Sequence, residues 1–176
     1  RVNANVTIIR ALALGALLPL AAIQNVEATR KPNFVVVFCD DLGYGDLGCY
    51  GATNVKTPNI DQLAKEGRRF TDAHSASAVC TPSRYALLTG EYPVRANGGA
   101  GVWGPAPVTS GLIIDTDKLT MADVFKNKGY ATAAFGKWHL GDQPPFLPRQ
   151  HGFDEFFGLP CSEDMGERLA TEYRVA

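Results

Sequence analysis

Hydrophobic positions fall into distinct blocks along the 176 residues. Ile8 to Ile23 is an almost unbroken apolar run, interrupted by Arg10 and Pro19, with Arg1 and Arg10 at its front. Val26-Glu27-Ala28 follows, with small residues where a signal peptidase reads. Residues 1–28 are therefore expected to be a secretory signal cleaved after Ala28. The run is short for a membrane span and contains a proline, which argues against stable insertion. The first residue is Arg rather than Met, so the extreme N-terminus is expected to be missing.

Asn33 to Cys39 is apolar without alternation, through Phe34, Val35, Val36, Val37 and Phe38. That pattern predicts a strand covered on both faces, as in a parallel sheet. Thr57-Pro58 opens a helix with Ile60, Leu63 and Ala64 as its apolar face and Gly67 as its stop. Arg69 to Ala73 reads as a short strand. Thr81-Pro82 opens a second helix running to Leu88 and stopped by Gly90. Thr120 caps a third, with Met121, Val124 and Phe125 inward and Gly129 at its end. Tyr130 to Phe135 is strand-like and leads into Gly136-Lys137-Trp138-His139. Strands alternating with helices favour a parallel α/β sheet with crossover helices. Gly98 to Pro107 reads as a surface loop.

Composition narrows the function without assigning it. Hydrophobic residues make up 45% and charged residues 20%, as in an ordinary globular domain with a sizeable core. A net charge of -1 and scattered aromatics give no footprint for nucleic acid or an anionic membrane. Cysteines at 39, 49, 80 and 161 form no C-x-x-C pair, and their spacing dictates no disulfide pattern.

Three places hold candidate chemistry. Asp40 and Asp41 follow the first predicted strand, where open α/β sheets place their sites. Adjacent buried carboxylates call for a cation, and a hard divalent ion, calcium or magnesium before zinc, suits them. Read alone, the pair is more simply a solvated acidic turn. Cys80 is expected just ahead of a helix N-terminus, where free N–H groups and the helix dipole favour an anion. Arg84 can reach the same spot, so nucleophile, anion hole and guanidinium would converge on a tetrahedral oxyanion. A buried cysteine beside a helix cap fits the same residues. Lys137 and His139, two apart at a strand end, share a face if the extended geometry continues. Lysine can neutralise a substrate oxygen, and histidine can move a proton. His74 and His151 read as structural or exposed.

Taken together the blocks resemble a family. Asn33 to Asp41 with Gly43-Tyr44-Gly45-Asp46, then Thr57-Pro58-Asn59-Ile60-Asp61, then Cys80-x-Pro82-Ser83-Arg84 through Leu88-Thr89-Gly90, then Gly136-Lys137-Trp138-His139-Leu140-Gly141 resemble the type I, arylsulfatase A-like sulfatases. The resemblance runs from about Lys31 to Gly166. It implies an alkaline-phosphatase-like α/β fold, a mixed, mostly parallel sheet sandwiched by helices. It also implies that residues 31–176 are the N-terminal portion of the catalytic domain.

The resemblance further implies that Cys80 is oxidised to formylglycine by a formylglycine-generating enzyme. Its hydrate would attack sulfur with one hydroxyl, and the other would expel sulfate by reforming the aldehyde. Asp40, Asp41 and residue 80 would be metal ligands for calcium. Arg84 would stabilise the hydrate, Lys137 would bind sulfate, and His139 would assist at the formylglycine. Ser162, in the block Gly152-Phe153-Asp154 to Phe157-Gly158-Leu159-Pro160-Cys161-Ser162, falls on a substrate-contacting position. The implied substrate is a sulfated small molecule or glycan. The implied location is exported: periplasmic or secreted, or lysosomal in a eukaryote.

The family completes its site with a downstream Asp-Asn pair and a further His and Lys, which the sequence to Ala176 does not contain. The chain is therefore expected to be a fragment at both ends, with about half a metal shell and uncovered apolar sheet, and inactive alone. Competing readings are a phosphatase or phosphodiesterase of the same superfamily and a non-catalytic secreted calcium- or glycan-binding module. A cysteine phosphatase needs a longer loop than Cys80 to Arg84. The loop from Gly98 to Gly111 is expected to line the pocket.

Overall fold

The computed structural model describes residues 31–102 and 113–162. The expected signal segment and most of the Gly98–Gly111 loop lie outside them. The chain divides into two compact units, Arg1–Cys39 and Asp40–Ala176.

In the first unit, residues 33–39 are not a β-strand. Val35 is 86% exposed and Val37 82%. A strand exists only through its ladder, and the ladder among the described residues joins Ala133–Lys137 to Glu155–Leu159. The apolar run is there, but among the described residues it forms no strand.

The second unit contains the regular structure. Helix α1, Pro58–Glu66, starts with Pro58 at a position that needs no N–H. Thr57 precedes it without capping it. Its hydroxyl instead accepts from the Gly48 N–H at 2.8 Å and donates to Asp61 at 3.0 Å. Asp61 also accepts from the Cys49 N–H at 2.7 Å, so the two side chains clamp the short 3-10 turn Gly48–Tyr50 to the helix. The expected apolar face is not covered, since Leu63 is 68% exposed and Ile60 40%. Residues 69–73 form no strand.

Helix α2 spans Cys80–Thr89 and ends on Gly90, whose φ of 68° is the left-handed cap that glycine adopts without a Cβ penalty. Helix α3, Met121–Asn127, is opened by a reciprocal capping box between Thr120 and Asp123. Ala122, rather than Val124, is its buried residue.

Strand β1, Ala133–Lys137, pairs in parallel with β2, Glu155–Leu159. The strand expected at 130–135 is thus shifted toward Lys137. Its connection to β2 runs through the 3-10 turn Pro148–Gln150 rather than a crossover helix. Gly136 and Gly158 face each other in the ladder. A Cβ on Gly158 would lie 2.0 Å from the Gly136 carbonyl oxygen, so the strands close only because Gly158 lacks a side chain, while Gly136 is favoured by its φ of 97°. Phe135 and Phe157, also paired, are 73% and 75% exposed. Phe156, on the other face, packs toward the core.

That core contains Tyr85 from α2 with Ala96, Val102, Ile113, Ile114, Trp138, Leu140 and Phe146. It therefore lies directly beneath α2 and the segment that leaves β1. Tyr85 is fully buried, and its hydroxyl donates to Glu91 at 2.6 Å. Glu91 is in turn ion-paired with Lys118. The helix that begins at Cys80 is thereby anchored from behind.

Candidate active site

Cys80 is the first residue of α2 rather than the residue before it. Val79 is extended, at φ -117° and ψ 144°, and its carbonyl accepts the Ser83 N–H at 3.1 Å to start the helix. Pro82 in this first turn contributes no N–H, as suits a position that no intrahelical bond would satisfy. Ser83 fixes the approach. Its hydroxyl donates to the Ser77 carbonyl at 2.7 Å and lies 2.8 Å from the Ser75 hydroxyl. The Ser77 hydroxyl accepts the Val79 N–H at 3.1 Å. Thr81, Pro82 and Ser83 are buried, whereas Cys80 is half-buried and its thiol is free. Arg84, four residues on, shares the Cys80 face of the helix.

Arg84 then joins two other segments. Its Nη1 donates to the Lys137 carbonyl at 2.6 Å, and its Nη2 lies 3.4 Å from Asp40 Oδ1. Lys137, at the end of β1, places Nζ 2.7 Å from Asp40 Oδ2. Three segments remote in sequence thus meet at one carboxylate flanked by two cations. The hydrogen bond from Lys137, followed by its charge and then Arg84, holds the Asp40 carboxyl below its ordinary value of 3.8. Arg84 and Lys137 are 11% and 15% exposed, so their charges are only partly screened.

The other expected residues are placed differently. Asp41 is exposed, and its φ of 56° turns the chain sharply after Asp40. His139 does not continue the strand alternation. β1 ends at Lys137, and His139 adopts a φ of 61° and is 1% exposed. Its N–H donates to the Pro160 carbonyl at 2.9 Å. Ser162, two residues beyond Pro160, is 3% exposed. The structure thus joins Asp40, Arg84 and Lys137 directly, sets Cys80 on the Arg84 face of α2 by helical spacing, and ties His139 to the Ser162 segment through the backbone.

The donor chemistry at Asp40 and Asp41 is that of a hard cation, but its number falls short. Calcium takes six to eight oxygens, and two carboxylates offer about four at most. Among the described residues no three His, Cys, Asp or Glu side chains converge. The pair fits part of a calcium shell.

A family model described as Sulfatase matches residues 32–175. The chain belongs to the sulfatase family. It is 50% identical over 149 residues to human arylsulfatase A, covering 84% of this chain and 29% of that protein. It is 49% identical over 151 residues to an N-acetylgalactosamine-6-O-sulfatase of Bacteroides thetaiotaomicron, covering 80% and 29%. A solved sulfatase from Pseudoalteromonas superposes with a TM-score of 0.68 at 39% identity, covering 88% of this chain and 30% of that one. The chain therefore spans about 29% of the length of the curated relatives it matches, and its α/β, alkaline-phosphatase-like fold class is that of the solved sulfatases.

Within this sulfatase framework some contributors were not singled out from the sequence. The Ser75, Ser77 and Ser83 network supports the approach to Cys80. Ser83 lies inside the quoted motif, and its spacing from Val79 marks it as a first-turn residue. Asp142 is 3% exposed, and its charge, after burial, helps to push the buried Cys161 thiol upward. His151 was expected to be structural or exposed, and it is 1% exposed; His74 is exposed beside Asp72.

Proposed function

We propose that this chain forms the nucleophile-bearing part of a sulfuric ester hydrolase that acts on a sulfated small molecule or glycan. The observation that carries the reading is the meeting of Arg84 and Lys137 at Asp40, one helical turn from Cys80. Two fixed cations beside a nucleophile position suit a tetrahedral oxyanion with several oxygens to neutralise. The names of the relatives support sulfate as that oxyanion.

In this reading Cys80 is matured to formylglycine by a formylglycine-generating enzyme, and Asp40 and Asp41 hold calcium. The aldehyde supplies a hydrated oxygen nucleophile, and the ion supplies positive charge at the sulfate oxygens. The chain's own residues supply the frame. The serine network holds residue 80 at the helix start. Arg84 keeps a guanidinium beside it and grips the Lys137 carbonyl, which fixes the end of β1. Lys137 directs its ammonium toward the same carboxylate and is assigned to sulfate binding. His139 and Ser162 are assigned to proton movement at residue 80 and to substrate contact. The apolar run at 8–23 supports export with cleavage after Ala28, which N-terminal sequencing of the secreted protein checks.

The test is turnover by the full-length protein, co-expressed with the maturation enzyme, on paired aryl sulfate and aryl phosphate substrates. Dominant sulfate turnover is expected, lost in Cys80→Ala. Dominant phosphate turnover would instead identify a phosphatase of the same superfamily, and no turnover with residue 80 unmodified would identify a non-catalytic module.

A further inference from the structure

Trp138 lies between the two residues assigned to sulfate and proton handling, yet it belongs to the core. It is 4% exposed. Its N–H donates to the Leu159 carbonyl at 2.8 Å, and its indole Nε1 donates to the Phe146 carbonyl at 2.9 Å. Phe153 meets the ring edge-on at 6.0 Å, and His151 stacks against it at 6.1 Å with 29° between planes. The segment from Phe146 to Phe153 thus closes around one indole.

His151 is itself fixed by its backbone. Its N–H donates to the Pro148 carbonyl at 2.9 Å, and its carbonyl accepts the Thr120 hydroxyl at 2.9 Å. Its ring is buried, and among the described residues neither ring nitrogen makes a hydrogen bond of ordinary geometry. The Pro145 carbonyl and the Asp123 carboxylate at the start of α3 act on the ring from outside the stack. Asp123 is already engaged by the Thr120 N–H at 2.9 Å. Trp138 and Phe153, the rings packed around it, carry no charge.

We propose that His151 is a positioning residue for the catalytic segment: its neutral imidazole wedges Trp138 in place between Lys137 and His139, and protonation of the ring loosens that wedge. The proposal rests on the sulfatase reading for its effect on activity, but not for the coupling itself. A cation in this stack would be desolvated, and the Pro145 carbonyl and Asp123 carboxylate offset only part of that cost. Burial pushes the His151 pKa below 6.5, against the pull of Asp123 and the Pro145 carbonyl. The open segment therefore takes up protons more readily than the closed one, and closure weakens as pH falls from 6.5 through the buried ring's own value.

The experiment compares the full-length, formylglycine-bearing enzyme with His151→Gln. The difference in tryptophan emission between the two proteins is expected to titrate with a midpoint below 6.5. The acid limb of kcat/KM is expected to move to lower pH in the variant, because the wedge no longer titrates. In the wild-type enzyme alone, amide exchange of peptides covering 146–153 is expected to rise at the same midpoint while α2 stays protected. That measurement decides the matter if the variant does not fold. An emission difference that is flat with pH, an unshifted acid limb, or exchange in 146–153 indifferent to pH would overturn the proposal. If neither protein hydrolyses sulfate esters, the functional reading fails, and emission and exchange still decide the coupling.

Discussion

Replacing Lys137 by Met keeps most of the side-chain length and removes the ammonium. Among the described residues that ammonium pairs with Asp40, at 2.7 Å. Asp40 is 43% exposed, so the pair counts as a screened surface bridge, worth about 0.2–1 kcal/mol to folding. Binding of a sulfate oxyanion is a different matter. A charge-assisted hydrogen bond from a lysine that is 15% exposed is worth about 1.5–3 kcal/mol. At about 1.4 kcal/mol per decade, kcat/KM should fall about 10- to 150-fold while stability barely changes. The pair also has a pH signature. Removing Lys137 removes the largest cause of the lowered Asp40 pKa. The stability that the wild type gains from this group is present above 3.8 and is lost as pH falls through the lower folded value. The gap in melting temperature between wild type and variant should therefore close in acid. The assay is aryl sulfate turnover by the full-length enzyme, normalised to formylglycine content, beside thermal melts across pH. Unchanged kcat/KM would refute the assignment of Lys137 to the sulfate. A loss of activity that tracks several kcal/mol of lost stability would show a structural role instead.

Three further outcomes follow from the geometry. Gly158→Ala should prevent β1 and β2 from pairing and leave insoluble protein on expression, because the new methyl meets the Gly136 carbonyl oxygen. Thr120→Ala removes the cap of α3 and its bond to the His151 carbonyl, and should cost about 1–2 kcal/mol in denaturant unfolding. Asp154 is held at about 2 by Lys126, then by the Thr132 N–H and hydroxyl, so its contribution is present above 3.8 and lost as pH falls toward 2. Asp154→Asn should flatten the stability profile in that window, and an unaltered acid profile would show that Lys126 and Thr132 do not favour the ionised form.

Local signals in the sequence served well where the structure is local. Thr57-Pro58, Gly90 and the Thr120 box mark helix ends because capping is decided within a few residues. The Cys80–Arg84 spacing places both on one helix face for the same reason. Strands were harder. The 33–39 run has the pattern of a buried strand but no ladder among the described residues, and a strand is a property of its neighbours. The site was legible as a set of residues, not as an arrangement. Nothing in the spacing of Asp40, Arg84 and Lys137 says that one carboxylate would sit between both cations. The alternation argument for Lys137 and His139 failed because His139 turns left-handed immediately after β1. Trp138 reads in sequence as part of a motif, and only the fold shows His151 stacked upon it.

The account turns on what residue 80 becomes. Mass spectrometry of the peptide containing Cys80, from the full-length protein expressed with a formylglycine-generating enzyme and treated with an aldehyde-reactive hydrazide, tests this most directly. The account predicts an aldehyde at position 80 that takes the hydrazide label. An unmodified, alkylatable thiol at that position would contradict it.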